Sequence, residues 1–214
     1  MKKRVLCFGD SLTWGADPKG VCRLEERWPM VLQERLGPDY TVIEEGQGGR
    51  VIATDDFAEG EKNGLKYILP CLESHDPLDL VAIMLGTNDC KQKFGYCPQD
   101  IAFELGRFLE KVQGFNRYRA ARRFKVLVIA PPYISEGVKG SWLEGLFGGA
   151  IPRSRQLPPL FKDVAQRYSC LFMDGNDCAV TSAVDGIHLD PDQQIRLGEA
   201  VAEVVRRELD TIRN

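Results

Sequence analysis

Four polar residues have the side-chain types that nucleophilic catalysis requires: Ser11, Asn88, Asp185 and His188. A serine nucleophile needs a base to take its proton, the base needs an orienting group, and the oxyanion that forms needs hydrogen-bond donors. In the segment DGIH, Asp185 precedes His188 by three residues. The carboxylate can therefore bond one imidazole nitrogen while the other faces the serine, which favours acyl-transfer chemistry.

Each of these features also has a plainer interpretation. An Asp-x-x-His segment alone is typical of a loop before a helix, and Ser11 alone of a turn or a cap. Asn88, in the segment LGTND, can donate to a developing negative charge, although Asn-Asp alone is more typical of a turn. Gly49 can offer a backbone N–H, with Gly48 as the adjacent alternative, but a glycine there equally suits a tight turn.

The elements that must position these residues are predicted from apolar runs and helical periodicity. Short apolar runs without alternation predict five buried parallel strands: Arg4–Phe8, Thr41–Glu44, Leu80–Leu85, Phe124–Ala130 and Cys170–Met173. Apolar spacings of three and four, with proline and glycine at the ends, predict the helices between them: Pro29–Leu36, Gly64–Glu73, Pro98–Val112, Ser154–Tyr168 and Pro191–Ile212.

Alternating strands and helices predict an α/β fold, a three-layer α/β/α sandwich with a five-stranded parallel sheet. We expect the flavodoxin-like strand order 2-1-3-4-5, in one domain that spans residues 1–214. Ligands of such sheets bind beyond the carboxyl ends of the strands, and Ser11, Gly49, Asn88 and His188 all follow predicted strands. The second histidine, His75, precedes the third strand and is interpreted as a surface or capping residue at the opposite edge.

Composition and missing motifs exclude several classes of function. The net charge of −3 gives no reason to expect a nucleic-acid or membrane partner. The one basic cluster, Arg117 to Lys125, is interpreted as a solvated helix end. The sequence has neither GxGxxG nor GxxxxGK[ST], and the usual GxSxG serine motif is also absent. We therefore expect no cofactor.

The apolar stretch after the basic N-terminus is too short for a signal peptide, and no run approaches the ~18 residues of a membrane span. Seven cysteines, an odd number without a Cys-x-x-Cys pair, suggest neither disulfides nor a structural metal site. These observations predict a cytoplasmic protein with reduced thiols and no bound metal.

Four motifs in order resemble the signature blocks of the SGNH (GDSL) hydrolases: GDSL at 9–12, the glycines at 46–49, GTND at 86–89 and DGIH at 185–188. The strings CFGDSLTWG, VIEEG, LDLVAIMLGTND and VDGIHL resemble the bacterial arylesterase and acyltransferase branch of that family. The second block departs from the commoner form, since Gln47 and Gly48 stand where an asparagine or serine is usual.

The resemblance implies a serine esterase in which Ser11 is the nucleophile, His188 the general base and then acid, and Asp185 the orienting carboxylate. The implied oxyanion donors are the backbone N–H groups of Ser11 and Gly49 and the side chain of Asn88. Members of this branch hydrolyse small acyl esters of aryl or alkyl alcohols, transfer acyl groups to alcohols or peroxide, and tend to form homo-oligomers. The alternatives are a carbohydrate O-deacetylase, a lysophospholipase-type esterase and, from another class, a non-catalytic flavodoxin-like binding module.

The remaining expectation concerns substrate specificity. Residues 133–155 form a long apolar connection, and long ordered loops are usually functional. We expect this loop to cap the site or to contact a second subunit, with a short helix packed on its own domain as the alternative. Residues near the nucleophile and in this loop are expected to line the substrate pocket: Asp10, Leu12, Trp14 and Trp142.

Overall fold

Five parallel strands form one sheet in the computed structural model, which describes residues 2–118 and 122–210. The strands are β1 (Lys3–Gly9), β2 (Tyr40–Gly46), β3 (Leu80–Met84), β4 (Lys125–Ala130) and β5 (Leu171–Asp174). Their order is β2-β1-β3-β4-β5, and in the central register Val5 pairs with both Val42 and Leu80. The predicted fold class and strand order are therefore confirmed.

The strands lack polar alternation because side chains on both faces of the sheet are buried. All five residues of β3 are buried, and successive residues of β1 point into different hydrophobic cores. Leu6 and Phe8 join the core on one face, whereas Val5 and Cys7 join the core on the other. Covering both faces requires helices on both sides, which gives the three layers.

Seven α-helices connect and flank the strands in the described residues: α1 (Ser11–Trp14), α2 (Trp28–Leu36), α3 (Gly64–His75), α4 (Pro98–Tyr118), α5 (Ala150–Ser154), α6 (Leu157–Arg167) and α7 (Pro191–Asp210). The predicted helix Pro98–Val112 continues to Tyr118 because no glycine–proline stop follows Val112. The predicted helix Ser154–Tyr168 corresponds to α6, which begins at Leu157 with Pro158 in its first turn, whereas Ser154 is the last residue of the separate helix α5.

Two predictions extend beyond the described residues: the end of the last predicted helix, at 211–212, and positions 119–121 of the basic cluster. Elsewhere in that cluster, Arg122 pairs with Asp79 at 2.9 Å and Lys125 pairs with Glu208 at 2.9 Å. The seven cysteines all lie in the described part of the chain and are free thiols. Among the described helices, none combines the length and apolar character needed to cross a bilayer.

Candidate active site

Ser11 is the first residue of α1 and lies directly beyond the carboxyl end of β1. Asp10 caps this helix, since its Oδ1 accepts the Leu12 N–H at 2.9 Å. A Cβ atom at Gly9 would lie 2.7 Å from the Met84 carbonyl oxygen and closer still to Thr13 Oγ1. The chain can therefore turn from strand to helix this tightly only with glycine at position 9.

Ser11, His188 and Asp185 form a continuous hydrogen-bonded chain. Ser11 Oγ lies 3.1 Å from His188 Nε2, and His188 Nδ1 lies 2.5 Å from Asp185 Oδ2. Asp185 Oδ1 accepts the backbone N–H groups of Ile187 and His188, each at 2.9 Å. This is the nucleophile–base–orienting group arrangement of a serine hydrolase.

The environment of Asp185 keeps it ionised. Burial by itself would raise the pKa of this carboxyl group, but the hydrogen bond to His188 and the two backbone N–H bonds hold the pKa below its ordinary value. The negative charge at Asp185 can then stabilise the imidazolium that forms when His188 takes a proton.

The loop that carries this pair is held against residues 133–155. Gly186 has a φ of +70°, and a Cβ atom there would lie 2.7 Å from the Ser135 carbonyl oxygen and closer still to Val138 N. The Ser135 N–H donates to the Gly186 carbonyl oxygen at 2.9 Å. The long connection thus supports the Asp185–His188 turn directly.

Asn88 follows β3 in a short 3-10 turn, Asn88–Cys90, and is buried. Its Nδ2 donates to the Arg50 carbonyl oxygen at 3.1 Å and lies 3.4 Å from Asp10 Oδ2. Gly49 has a φ of +80°, and within the described chain its N–H has no hydrogen-bond acceptor. Ser11, Gly48, Gly49 and Asn88, the residues expected to supply the nucleophile and the oxyanion donors, all line one cavity.

This cavity, of about 790 Å³, opens above the carboxyl ends of the strands. Trp14 and Trp142 line it as predicted, together with Leu143, Leu146 and Phe147 from the 133–155 connection.

The prediction that Asp10 and Leu12 line the pocket is not met, because neither residue is among those that line the cavity. Asp10 is fully buried as the cap of α1, and Leu12 points into the core that contains Trp28. Sequence proximity to Ser11 misled here because a helical turn sends adjacent side chains in different directions.

One wall of the cavity is charged, a feature that sequence reasoning missed. Lys91 is nearly buried and its Nζ lies 2.6 Å from Glu59 Oε1. Lys93 pairs with the same Glu59 oxygen at 2.9 Å and with Asp56 Oδ2 at 2.5 Å. The position of Lys91, three residues after Asn88, was the only signal in the sequence that it would face the site.

His75 does not approach Ser11 and forms a half-buried pair with Glu45, with Nε2 2.7 Å from Oε1. Among the described residues, Glu45, Cys71 and His75 form the one group whose potential metal-ligating atoms lie together, within 4.8 Å of one another. Glu45 also accepts the Tyr67 hydroxyl at 3.1 Å. Burial raises the pKa of Cys71 to about 12, so its thiol stays protonated. None of these residues lines the cavity.

Comparison with known proteins identifies a family and similar solved structures. A family model described as the GDSL-like lipase/acylhydrolase family matches residues 7–196. The structure of Est24, a carbohydrate acetylesterase from Sinorhizobium meliloti, is 41% identical, with a TM-score of 0.90 over 96% of this chain and 99% of Est24. The native aryl esterase of M. smegmatis is 38% identical, with a TM-score of 0.90 over 97% of this chain and 100% of that enzyme.

A search of curated proteins gave no match. The family match nevertheless covers most of the chain, and both solved structures are esterases that align over nearly their whole length. The chain therefore belongs to the GDSL-like lipase/acylhydrolase family, the SGNH hydrolases, and is a carboxylic ester hydrolase.

Proposed function

We propose that this protein hydrolyses small acyl esters of aryl or alkyl alcohols through an acyl-enzyme on Ser11. The observation that carries the proposal is the 3.1 Å approach of His188 Nε2 to Ser11 Oγ on the wall of the 790 Å³ cavity. A parallel-stranded binding module without catalytic activity does not require serine, histidine and aspartate to be hydrogen-bonded in this order.

The reaction proceeds in two halves. His188 takes the Ser11 hydroxyl proton as Oγ attacks the ester carbonyl, and the resulting oxyanion accepts hydrogen bonds from the N–H groups of Ser11 and Gly49 and from Asn88. Collapse of the tetrahedral intermediate breaks the ester C–O bond, and His188 returns the proton to the leaving alkoxide. Water then gives a proton to His188 as it attacks the acyl carbonyl. The second tetrahedral intermediate collapses, which breaks the bond from the acyl carbon to Oγ and releases the carboxylic acid, and His188 returns the proton to Ser11 Oγ.

An alcohol or a peroxide in place of water would turn the second half into acyl transfer. The apolar side of the cavity, which includes Trp14, Trp142 and Leu146, supports this extension because it can hold an organic acceptor beside the acyl group. The balance between hydrolysis and transfer is measured by adding an alcohol during turnover and quantifying free acid and new ester. An unchanged yield of acid, with no new ester, would reject the transfer step.

A second candidate, O-deacetylation of carbohydrates, is favoured by one specific feature. The wall formed by Glu59, Lys91 and Lys93 offers both hydrogen-bond donors and acceptors to a hydroxyl-rich alcohol. The similarity to Est24 points the same way. Comparing kcat/KM for an acetylated sugar with that for p-nitrophenyl acetate would decide between the two alcohol classes.

The chemistry is tested with p-nitrophenyl acetate, butyrate and octanoate, and with an organophosphonate that labels reactive serines. We expect turnover, a single adduct on Ser11 by mass spectrometry, and a preference for short acyl chains. Ser11→Ala should lower kcat by about four orders of magnitude or more. The exposed Ser74 provides the control, since Ser74→Ala should retain full activity.

Two outcomes would overturn the proposal in different ways. Absence of both turnover and a Ser11 adduct in the wild-type protein would reject the serine-esterase mechanism. Optimal activity on octanoate would retain the mechanism but favour a lysophospholipase-type substrate over a small acyl ester.

A further inference from the structure

Arg50 is a buried charge beside the catalytic site, with only 4% of its surface exposed. Its Nη1 donates to the Gly9 carbonyl oxygen at 2.8 Å and also to the Glu45 carbonyl oxygen. Its Nε lies 3.3 Å from Gln47 Oε1. One guanidinium group therefore joins the end of β1, the end of β2 and the loop that follows β2.

Two aromatic rings complete the surroundings of this guanidinium. Its Cζ lies 4.3 Å from the centroid of the Phe8 ring and 5.3 Å from that of Tyr67. A planar cation of this kind can stack on rings while it donates several hydrogen bonds in fixed directions, which an ammonium group cannot do. The position of the side chain is thus determined by both packing and hydrogen bonding.

The backbone of the same residue contacts one of the proposed oxyanion donors and the loop that carries another. The Arg50 carbonyl oxygen accepts the Asn88 Nδ2–H at 3.1 Å, and the Arg50 N–H donates to the Gln47 carbonyl oxygen at 3.1 Å. Gly49 is the preceding residue, and Gly9 is two residues before Ser11. Of the proposed donors, the Asn88 amide therefore bonds Arg50 directly. Ser11 and Gly49 each lie two residues after a residue that hydrogen-bonds Arg50.

We propose that Arg50 is a positioning residue for the oxyanion hole. Its guanidinium holds the ends of β1 and β2 at a fixed separation, and its carbonyl oxygen fixes the rotation of the Asn88 amide. The N–H groups of Ser11 and Gly49 and the amide of Asn88 then converge on one point before substrate binds. This inference rests on the esterase mechanism proposed above. It adds to that mechanism the residue that positions the oxyanion donors.

The test compares Arg50→Lys and Arg50→Gln with the wild-type protein on p-nitrophenyl acetate. Lysine keeps the charge but cannot reproduce the branched hydrogen bonds, and glutamine keeps polarity without the charge. A small displacement of the donors affects the transition state more than the bound ester, so kcat should fall about 10- to 100-fold while KM stays within about twofold. A normal kcat in both folded variants would overturn the proposal.

Arg27 offers a matched control. Its guanidinium also bonds the end of β2, through Glu44 at 2.5 and 2.8 Å, but Arg27 does not line the cavity and has no contact with a proposed donor. Arg27→Lys should therefore keep kcat within about twofold of the wild-type value. Equal losses of kcat in Arg27→Lys and Arg50→Lys would indicate a general effect on the sheet and reject a specific role for Arg50.

A double-mutant cycle separates positioning from general stability. If Arg50 acts through the donors, Arg50→Lys should reduce kcat several-fold less in an Asn88→Ala background than in the wild-type background. Full additivity would contradict the proposal. Failure of the esterase mechanism itself is distinguished by the wild-type protein, which would then show neither turnover nor a Ser11 adduct.

Discussion

Asp89, adjacent to Asn88, is a fully buried carboxyl group whose Oδ1 accepts the Ile52 N–H at 3.0 Å while its Oδ2 has no hydrogen-bond partner in the described chain. Burial raises its pKa to about 7, against the opposing effect of the hydrogen bond from Ile52. The folded protein therefore retains a proton between pH 4 and 7 that the unfolded chain has lost. The contribution of Asp89 to the free energy of unfolding therefore falls as pH rises through this range.

Asp89→Asn tests this pH dependence, because an amide keeps the acceptor for Ile52 and carries no charge. We expect the variant to match the wild-type protein near pH 4 and to be more stable near pH 8, on the order of 1–4 kcal/mol. Urea denaturation at both pH values measures the difference. The exposed Asp39 serves as control through Asp39→Asn. A stability difference that is the same at both pH values would contradict the burial argument.

Some residues of the candidate site could be predicted from the sequence, and others could not. Ser11, Asn88 and His188 could be placed at one edge because their types are chemically selective and each follows a strand. Arg50 could not be recognised, because its importance arises from carbonyl groups of two strands that meet only in the folded sheet. The charged wall of Lys91 and Glu59 was missed for the same reason, since the two residues are 32 positions apart.

At the scale of elements, the connection at 133–155 both supports the Gly186 turn and lines the cavity. Its first part contacts the Gly186 turn that carries the Asp185–His188 pair. Its second part lines the cavity with Leu143 and Phe147, which are buried, and Trp142, which is 67% exposed. Its apolar residues predicted a functional loop, but periodicity gave no signal for the short helix α5 within it, which spans only five residues.

Trp142 is expected to contribute apolar contact to the substrate at the mouth of the cavity. Each buried methylene of an acyl chain gains about 0.8 kcal/mol, so Trp142→Ala should lower kcat/KM more for p-nitrophenyl butyrate than for the acetate, by about threefold to tenfold and mainly through KM. Phe103 is similarly exposed, at 69%, but lies on α4 outside the cavity. Phe103→Ala should leave the ratio unchanged, and an equal loss on both esters in Trp142→Ala would contradict the assigned contact.

At the scale of the whole molecule, the turn that carries Ser11 is bonded to α7, which lies at the other end of the described chain. Gln194 on α7 is fully buried; its Oε1 accepts the Trp28 N–H at 2.9 Å, and its Nε2 donates to the Leu12 carbonyl oxygen at 3.2 Å. One side chain thus links α7 to α2 and to the turn that begins with Ser11. The order of the strands explains this link, since β1, which leads to that turn, lies between β2 and β3 and is covered by these helices.

Gln194→Ala would leave a buried N–H and a buried carbonyl group without partners, and should lower the free energy of unfolding by about 2–4 kcal/mol. The adjacent Gln193 is the matched control, because its side chain makes exposed hydrogen bonds: it accepts the Val180 N–H at 3.0 Å and donates to Asp192 Oδ2 at 2.7 Å. Gln193→Ala should cost about 0.5 kcal/mol or less. Chemical denaturation compares the two variants, and equal, small losses would mean that the helices hold the Ser11 turn through apolar packing alone.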